Sequence, residues 1–397
     1  MESNQNWLNW LARLAIVRVG GAISGLSATY WATTHLSENA GAQFIGNSTA
    51  LANGCEAAIA LLVGAHLISR SHKWAIGAGF MAGIMALLVS LNPRLETIWL
   101  ARVSDGIIAG LVTTTAMSAI LAEAKNKPTG PRLIVGFESI VIVAFGLGSV
   151  VAAAIWPKIG TLIFLISGGL YLAAALIEKS SFVVKESPVG RPNFSVLRNP
   201  IFIGVLAMST SASMWVSQVT FVMTSHKVIG QVFPGSMDKV QVAILIVAYL
   251  AALAVGLAIW SAVLVRIKPS LATVFGSLGA FLAPLVLLTL NLTTNSIGLR
   301  ICLLGIYIVV LMVQAGLIPA ILATVNKSRG DTSPLVLSSV FVVATTIGSV
   351  IGPLLGGIAV SSSSFSGICV ASTVLAGITL ASTFPGQLRD KSSRSRS

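Results

Sequence analysis

Val143-Ala144-Phe145-Gly146-Leu147-Gly148-Ser149-Val150-Val151 is answered two hundred residues further on by Val343-Ala344-Thr345-Thr346-Ile347-Gly348-Ser349-Val350-Ile351. Val-Ala and Gly-Ser-Val recur at one offset, and Val151 is matched by Ile351. Upstream, Ala119-Ile120-Leu121-Ala122 returns one residue out of register as Ala320-Ile321-Leu322-Ala323, followed by Asn126-Lys127 and Asn326-Lys327. Two matches in the same order at nearly the same spacing read as one unit built twice. In so apolar a chain that unit is a bundle of membrane helices, the construction typical of inverted and parallel membrane repeats.

Hydrophobic residues make up 55% of the chain and charged ones 9%, with a mean hydropathy of +0.90. So little polar surface excludes a water-facing globule, and the solvent is lipid. About 20 apolar residues span a bilayer as a helix. Twelve such segments are predicted near 8–35, 43–69, 74–92, 95–123, 133–156, 159–178, 200–225, 238–265, 270–290, 297–325, 334–360 and 367–384. Trp156-Pro157-Lys158 is the only punctuation between the fifth and sixth. The expected class is an all-α membrane protein of two six-helix halves, 1–178 and 200–386. A linker over 179–199, with Pro188, Gly190 and Pro192, joins them, and a Ser/Arg-rich tail over 387–397 has no apolar face and is expected to be disordered.

With both termini in the cytoplasm, the inner loops and tail hold 17 of the 25 basic residues, among them Arg70, Lys73, Lys125, Arg132, Lys185, Arg266 and Arg389. The outer loops hold only Arg94, Lys158, Lys227 and Lys239. This bias orients a multi-pass protein of the cell (inner or plasma) membrane. The net charge of +13 is therefore topology and contact with anionic lipid, not a nucleic-acid footprint. The first helix carries Arg13 and Arg18, has no cleavage site, and reads as a retained span. Cys55, Cys302 and Cys369, and His35, His66, His72 and His226, show no metal-ligand spacing, so the cysteines read as free thiols. Asn47-Ser48-Thr49 and Asn291-Leu292-Thr293 are glycosylation triplets, meaningful only in a eukaryotic secretory pathway.

Leu100-Ala101-Arg102-Val103-Ser104-Asp105-Gly106 resembles the arginine-x-x-x-glycine signature of the fourth helix in the major facilitator superfamily. Gly348, Gly352-Pro353 and Gly356-Gly357 form a pattern similar to the glycine-proline motif of its drug-proton antiporters. In those exporters the motif sits in the fifth helix, whereas here it occupies the symmetry-related eleventh. The superfamily's loop motif between helices two and three keeps Gly64, Arg70 and Lys73, with Ile68 where an aspartate helps lock the cytoplasmic side. The resemblance implies a twelve-helix transporter fold.

Ionisable groups inside apolar spans cost at least ~2.5–3.5 kcal/mol on insertion scales unless partnered or hydrated. Every acidic residue well inside a span belongs to the first half: Glu56, Asp105 and Glu138. Arg102 and Asp105, three apart, share a helix face; they either neutralise each other or form a proton switch. Glu56 is the main titrating candidate, with a structural pair to Arg18 and a neutral buried acid as alternatives. Glu138, within two turns of the inner end of its helix, reads as water-accessible, and Arg13 as snorkelling inward. Gly106, Gly348, Gly352, Pro353, Gly356 and Gly357 serve packing or a hinge. In the second half, Trp215 and Gln218, with Tyr249 and Gln314, are candidates for a cavity wall binding a moderately apolar molecule, against a reading of Ser/Thr-rich helix seven as ordinary membrane helix chemistry.

No phosphate-binding loop, H-E-x-x-H or nucleophile with a base is present, so no enzyme, cofactor or metal is expected. The expected activity is alternating-access secondary transport of a small organic substrate by a monomer, coupled to protons and directed to export. Uptake of a metabolite, a non-transporting receptor or scaffold, and a lipid flippase are the alternatives.

Overall fold

The structure, a computed structural model, describes residues 6–67, 71–125, 127–177, 199–224, 239–293, 296–328 and 332–383. The expected linker and tail lie outside these residues. Twelve α-helices follow in order: α1 (Asn6–His35), α2 (Glu38–Gly64), α3 (Ser71–Leu91), α4 (Leu95–Ala124), α5 (Gly130–Ile159) and α6 (Phe164–Leu176), then α7 (Ile201–Thr224), α8 (Lys239–Arg266), α9 (Pro269–Leu292), α10 (Ile297–Gln314), α11 (Leu317–Ser328) and α12 (Pro334–Thr383). A 3-10 turn, Gly160–Ile163, joins α5 to α6. Among the described residues there is no strand, and nine helical stretches are long and apolar enough to cross a membrane. Helices dominate because lipid leaves every backbone amide to find its partner within its own segment.

Gly130–Leu176 is one apolar stretch of 47 residues that holds two crossings. The Tyr30 ring packs tilted against Trp156, and the Val19 carbonyl abuts Gly148, so α5 runs parallel to α1. Arg13 reaches the Ile177 carbonyl, and Tyr171 packs on Gly20, so α6 runs back. The reversal falls where Trp156-Pro157-Lys158 predicted it. Gly160, at φ 56°, adopts the left-handed backbone that a side chain disfavours.

The tenth predicted span is a broken helix, because α10 and α11 part at Ala315-Gly316. Pro319 has no N–H to offer the Ala315 carbonyl. Across the break, the Trp260 indole N–H donates to the carbonyls of Met312 (3.0 Å) and Val313 (3.1 Å). Its ring fills the space where a side chain at Gly316 would stand.

The eleventh and twelfth predicted spans are joined in one helix, α12, of 50 residues. Straight, it would run about 75 Å. It folds back instead, for α7 touches both of its limbs: Gly348 and Gly352 pack on Leu206, Thr210 and Ser213, while Thr379 bonds the Gly204 carbonyl at 3.1 Å. Met214 and Trp215 meet Phe365 and Ile368. The limbs run in opposite directions along α7, with the reversal between Gly352 and Phe365.

These contacts explain the repeated sequence. Gly148 stands against the Val19 carbonyl of α1, and Gly348 against the Leu206 carbonyl of α7. In each half the same glycine lets the same pair of backbones touch, which is how helices associate in a solvent as apolar as their own side chains. Between the halves, α2 packs along the first limb of α12 and α5 along α8. At the end of the bundle from which α1 starts, Ile120, Leu121, Ile321, Leu322, Leu337 and Phe341 are no more than 2% exposed and form one cluster. It closes that end with residues of both halves.

Candidate functional site

Three helices of the first half converge on Arg18. From α1 its guanidinium grips Glu56 of α2 with both nitrogens, at 2.6 and 3.4 Å, and donates to the Thr113 hydroxyl of α4 at 2.7 Å. The Glu56 side chain is 5% exposed and that of Arg18 25%. The pair is therefore deeply held but reachable from its arginine side. A two-point guanidinium–carboxylate bond is among the stronger polar contacts available in a low-dielectric interior.

A second network lies about two turns further along α1. Arg102 donates to Asp105 Oδ2 at 2.8 Å, Ser24 to the same oxygen at 2.7 Å, and Tyr171 to Oδ1 at 2.6 Å. The arrangement depends on Gly25, whose missing side chain leaves room for the Arg102 guanidinium. Gly106, on the adjoining position of α4, sits directly on the Ala52 carbonyl of α2. Asp105 thus has both oxygens occupied, by donors from α1, α4 and α6. Thr113, Ser24 and Tyr171 had no distinguishing mark in the sequence, since a membrane helix hydroxyl ordinarily bonds its own backbone.

Glu138, on α5, differs from both. It is partly buried, and no hydrogen bond or ion pair joins it to another described residue.

The residues expected to form a wall in the second half are dispersed. Trp215, partly buried, packs edge-on against Phe365 with ring centres 5.6 Å apart. Tyr249 joins Tyr307 and Ile142 of α5 in a cluster with Ala252 and Leu253. Gln314 ends α10 at the helix break, with its backbone beneath Gly279. The side chain of Gln218 lies outside the described ones, as do Arg70 and Ile68.

Pro353 removes the amide that would bond the carbonyl of Ser349, four residues earlier. The Asn53 amide of α2 donates to that same carbonyl at 2.9 Å. Gly352 is buried against Thr210, Ser213 and Met214 of α7, and Gly356 is buried further along α12. Gly357 lies in α12, with its surroundings outside the described ones. Nothing in the sequence linked Asn53 to Pro353, because they are 300 residues apart.

Two bundles of apolar helices with paired charges inside one of them define a class, that of the multi-span helical membrane folds. Neither a protein-family model nor a curated protein sequence matches the chain. Among solved structures, it is similar to the crystal structure of the human organic anion transporter MFSD10 (TETRAN), a member of the major facilitator superfamily. The TM-score is 0.69 at 14% sequence identity, over 97% of this chain and 99% of that one. At that identity the likeness establishes the fold.

Proposed function

We propose that this chain is a secondary active transporter that carries a small organic molecule across a cell membrane by alternating access. Its two halves, 1–178 and 200–386, rock about the interfaces of α2 with α12 and α5 with α8. Twelve crossings result when α2, α7 and both limbs of Gly130–Leu176 are counted with the other apolar stretches. The charge bias of the loops supports cytoplasmic termini.

The observation that carries this reading is the pair of charge networks inside the first half of a transporter fold. Intramembrane ionisable groups mark ion paths, and with no nucleotide site the energy comes from an ion gradient. In this reading Glu56, with Arg18, and Asp105, with Arg102, form the proton-coupling machinery. Trp215, Gln218, Tyr249 and Gln314 contribute to the cargo path of the second half. The resemblance of the α12 glycine-proline pattern to that of drug-proton antiporters favours export. The solved neighbour is named for organic anions; the span interiors here hold three carboxylates, Glu56, Asp105 and Glu138, beside three guanidinium groups, Arg13, Arg18 and Arg102, a balance that gives no ground for carrying that cargo class over.

The test is a cargo screen in proteoliposomes with an imposed pH gradient. Glu56→Gln is expected to abolish gradient-driven movement while sparing exchange at equal pH on both sides. Equal loss of both activities would make Glu56 structural, and unchanged gradient-driven movement would remove it from coupling.

A further inference from the structure

Among the described residues, Glu138 is the membrane-interior carboxyl that no hydrogen bond or ion pair joins to another side chain. Within the spans, Arg18 is bonded to Glu56 and Arg102 to Asp105. Arg13 bonds the Ile177 carbonyl near the end of α1 and lies 4.8 Å over the Trp10 ring. That leaves one carboxyl more than there are guanidinium groups to answer it. An ionised carboxylate without a partner in an apolar span is costly enough that it is neutralised instead, by a proton or a bound cation.

We propose that Glu138 is the site at which this transporter binds a mobile positive charge, either the coupling proton or the cationic centre of a cargo molecule. The proposal rests on the transport reading and sharpens it. Arg18 of α1 is held by Glu56 of α2 at 2.6 Å, and Glu138 lies roughly two turns below it along α5, since Gly148 of α5 meets the Val19 carbonyl. No described guanidinium therefore pairs with Glu138, and its charge is met by whatever binds it.

The other charged and titratable groups on elements packed against α5 do not serve this purpose. On α4, Asp105 is bonded by Arg102. On α8, Tyr249 packs in an apolar cluster with Ile142 of α5. On α11, Lys327 lies in the last turn, at the end of the span.

Infrared difference spectroscopy on the purified full chain in lipid nanodiscs, titrated through pH, reads protonated carboxyl groups directly and needs no cargo. The exposed carboxyls titrate together in their ordinary range; one further carboxyl band, separate from theirs, is expected in the parent protein, lost in Glu138→Gln and kept in Glu56→Gln and Asp105→Asn. A separate band that survives Glu138→Gln, or the absence of one in the parent protein, overturns the proposal. Should Glu138→Gln fail to fold, Glu138→Asp must move the band, and a band left in place overturns it equally.

Tetraphenylphosphonium binding, followed by equilibrium dialysis, separates the two sources of charge. If a cationic cargo replaces the proton, binding weakens about tenfold for each unit of acidification below the titration midpoint and is lost in Glu138→Gln. Binding that ignores Glu138→Gln, or no binding, assigns the site to the proton alone. A chain that shows the Glu138 band yet moves no cargo in proteoliposomes refutes the transport reading and leaves this site in place.

Discussion

Arg102 and Asp105 show how neighbours decide what an ion pair is for. Their spacing, legible from the sequence, promised only that the two groups could meet. Whether they form a switch or a strut depends on Ser24 and Tyr171, which occupy the remaining lone pairs of Asp105 from two other helices. A carboxylate bonded at both oxygens by donors from three helices ties those helices together, as a strut does. Asp105→Asn leaves Arg102 buried and unmatched, with an expected cost of about 3–5 kcal/mol in stability. Replacing both, as Arg102→Met with Asp105→Leu, removes the unmatched charge and should recover most of that loss. Unfolding of the solubilised variants measures the difference. If Asp105→Asn unfolds like the parent protein, the pair is not structural and the switch reading gains. Glu138, by contrast, was visible in the sequence as a charge near a helix end, and its lack of a partner was not. That property belongs to the space around it, which only the packed bundle defines.

Elements were legible to the extent that punctuation lies within them. Trp156-Pro157-Lys158 and Gly160 mark the turn between α5 and α6 locally, and the structure turns there. The break between α10 and α11 was missed because Trp260, which bonds the carbonyls of Met312 and Val313 and fills the space at Gly316, comes from α8. The reversal within α12 falls where the sequence separates its eleventh and twelfth spans, and α7 lies against both limbs. Pro353 combines both lessons, since its own effect is local but its compensation by Asn53 comes from the other half of the chain. An unsatisfied buried carbonyl costs about 1–3 kcal/mol. Asn53→Ala is therefore expected to destabilise the parent protein by that order. Pro353→Ala restores the amide within α12, so Asn53→Ala should cost much less in that background. A double-mutant cycle measured by thermal unfolding in nanodiscs reads the coupling. Additive effects would mean that the Asn53 bond and the proline are unrelated.

At the scale of the molecule, the repeat was the clearest signal, yet it carried a second meaning that the sequence alone does not express. Ala119-Ile120-Leu121-Ala122 and Ala320-Ile321-Leu322-Ala323 are equivalent by duplication, and they also meet each other. Ile120, Leu121, Ile321 and Leu322 share one buried cluster, and the Asn326 amide donates to the Leu121 carbonyl at 3.3 Å. Equivalent segments that touch near a pseudo-twofold axis form a closure that, on the transport proposal, both halves must leave together. The end of the bundle from which α1 starts is shut in this conformation, so cargo can pass that end only if α4 and α11 part. A short thiol-reactive cross-linker between Leu121→Cys and Asn326→Cys, with Cys55, Cys302 and Cys369 replaced, should hold them together. Transport in proteoliposomes is expected to fall at least about tenfold on cross-linking, a barrier change of about 1.4 kcal/mol or more. Cleaving the linker should restore it, and binding from the opposite end should persist throughout. Undiminished transport by the cross-linked protein would mean that α4 and α11 need not separate, and alternating access at this closure would have to be abandoned.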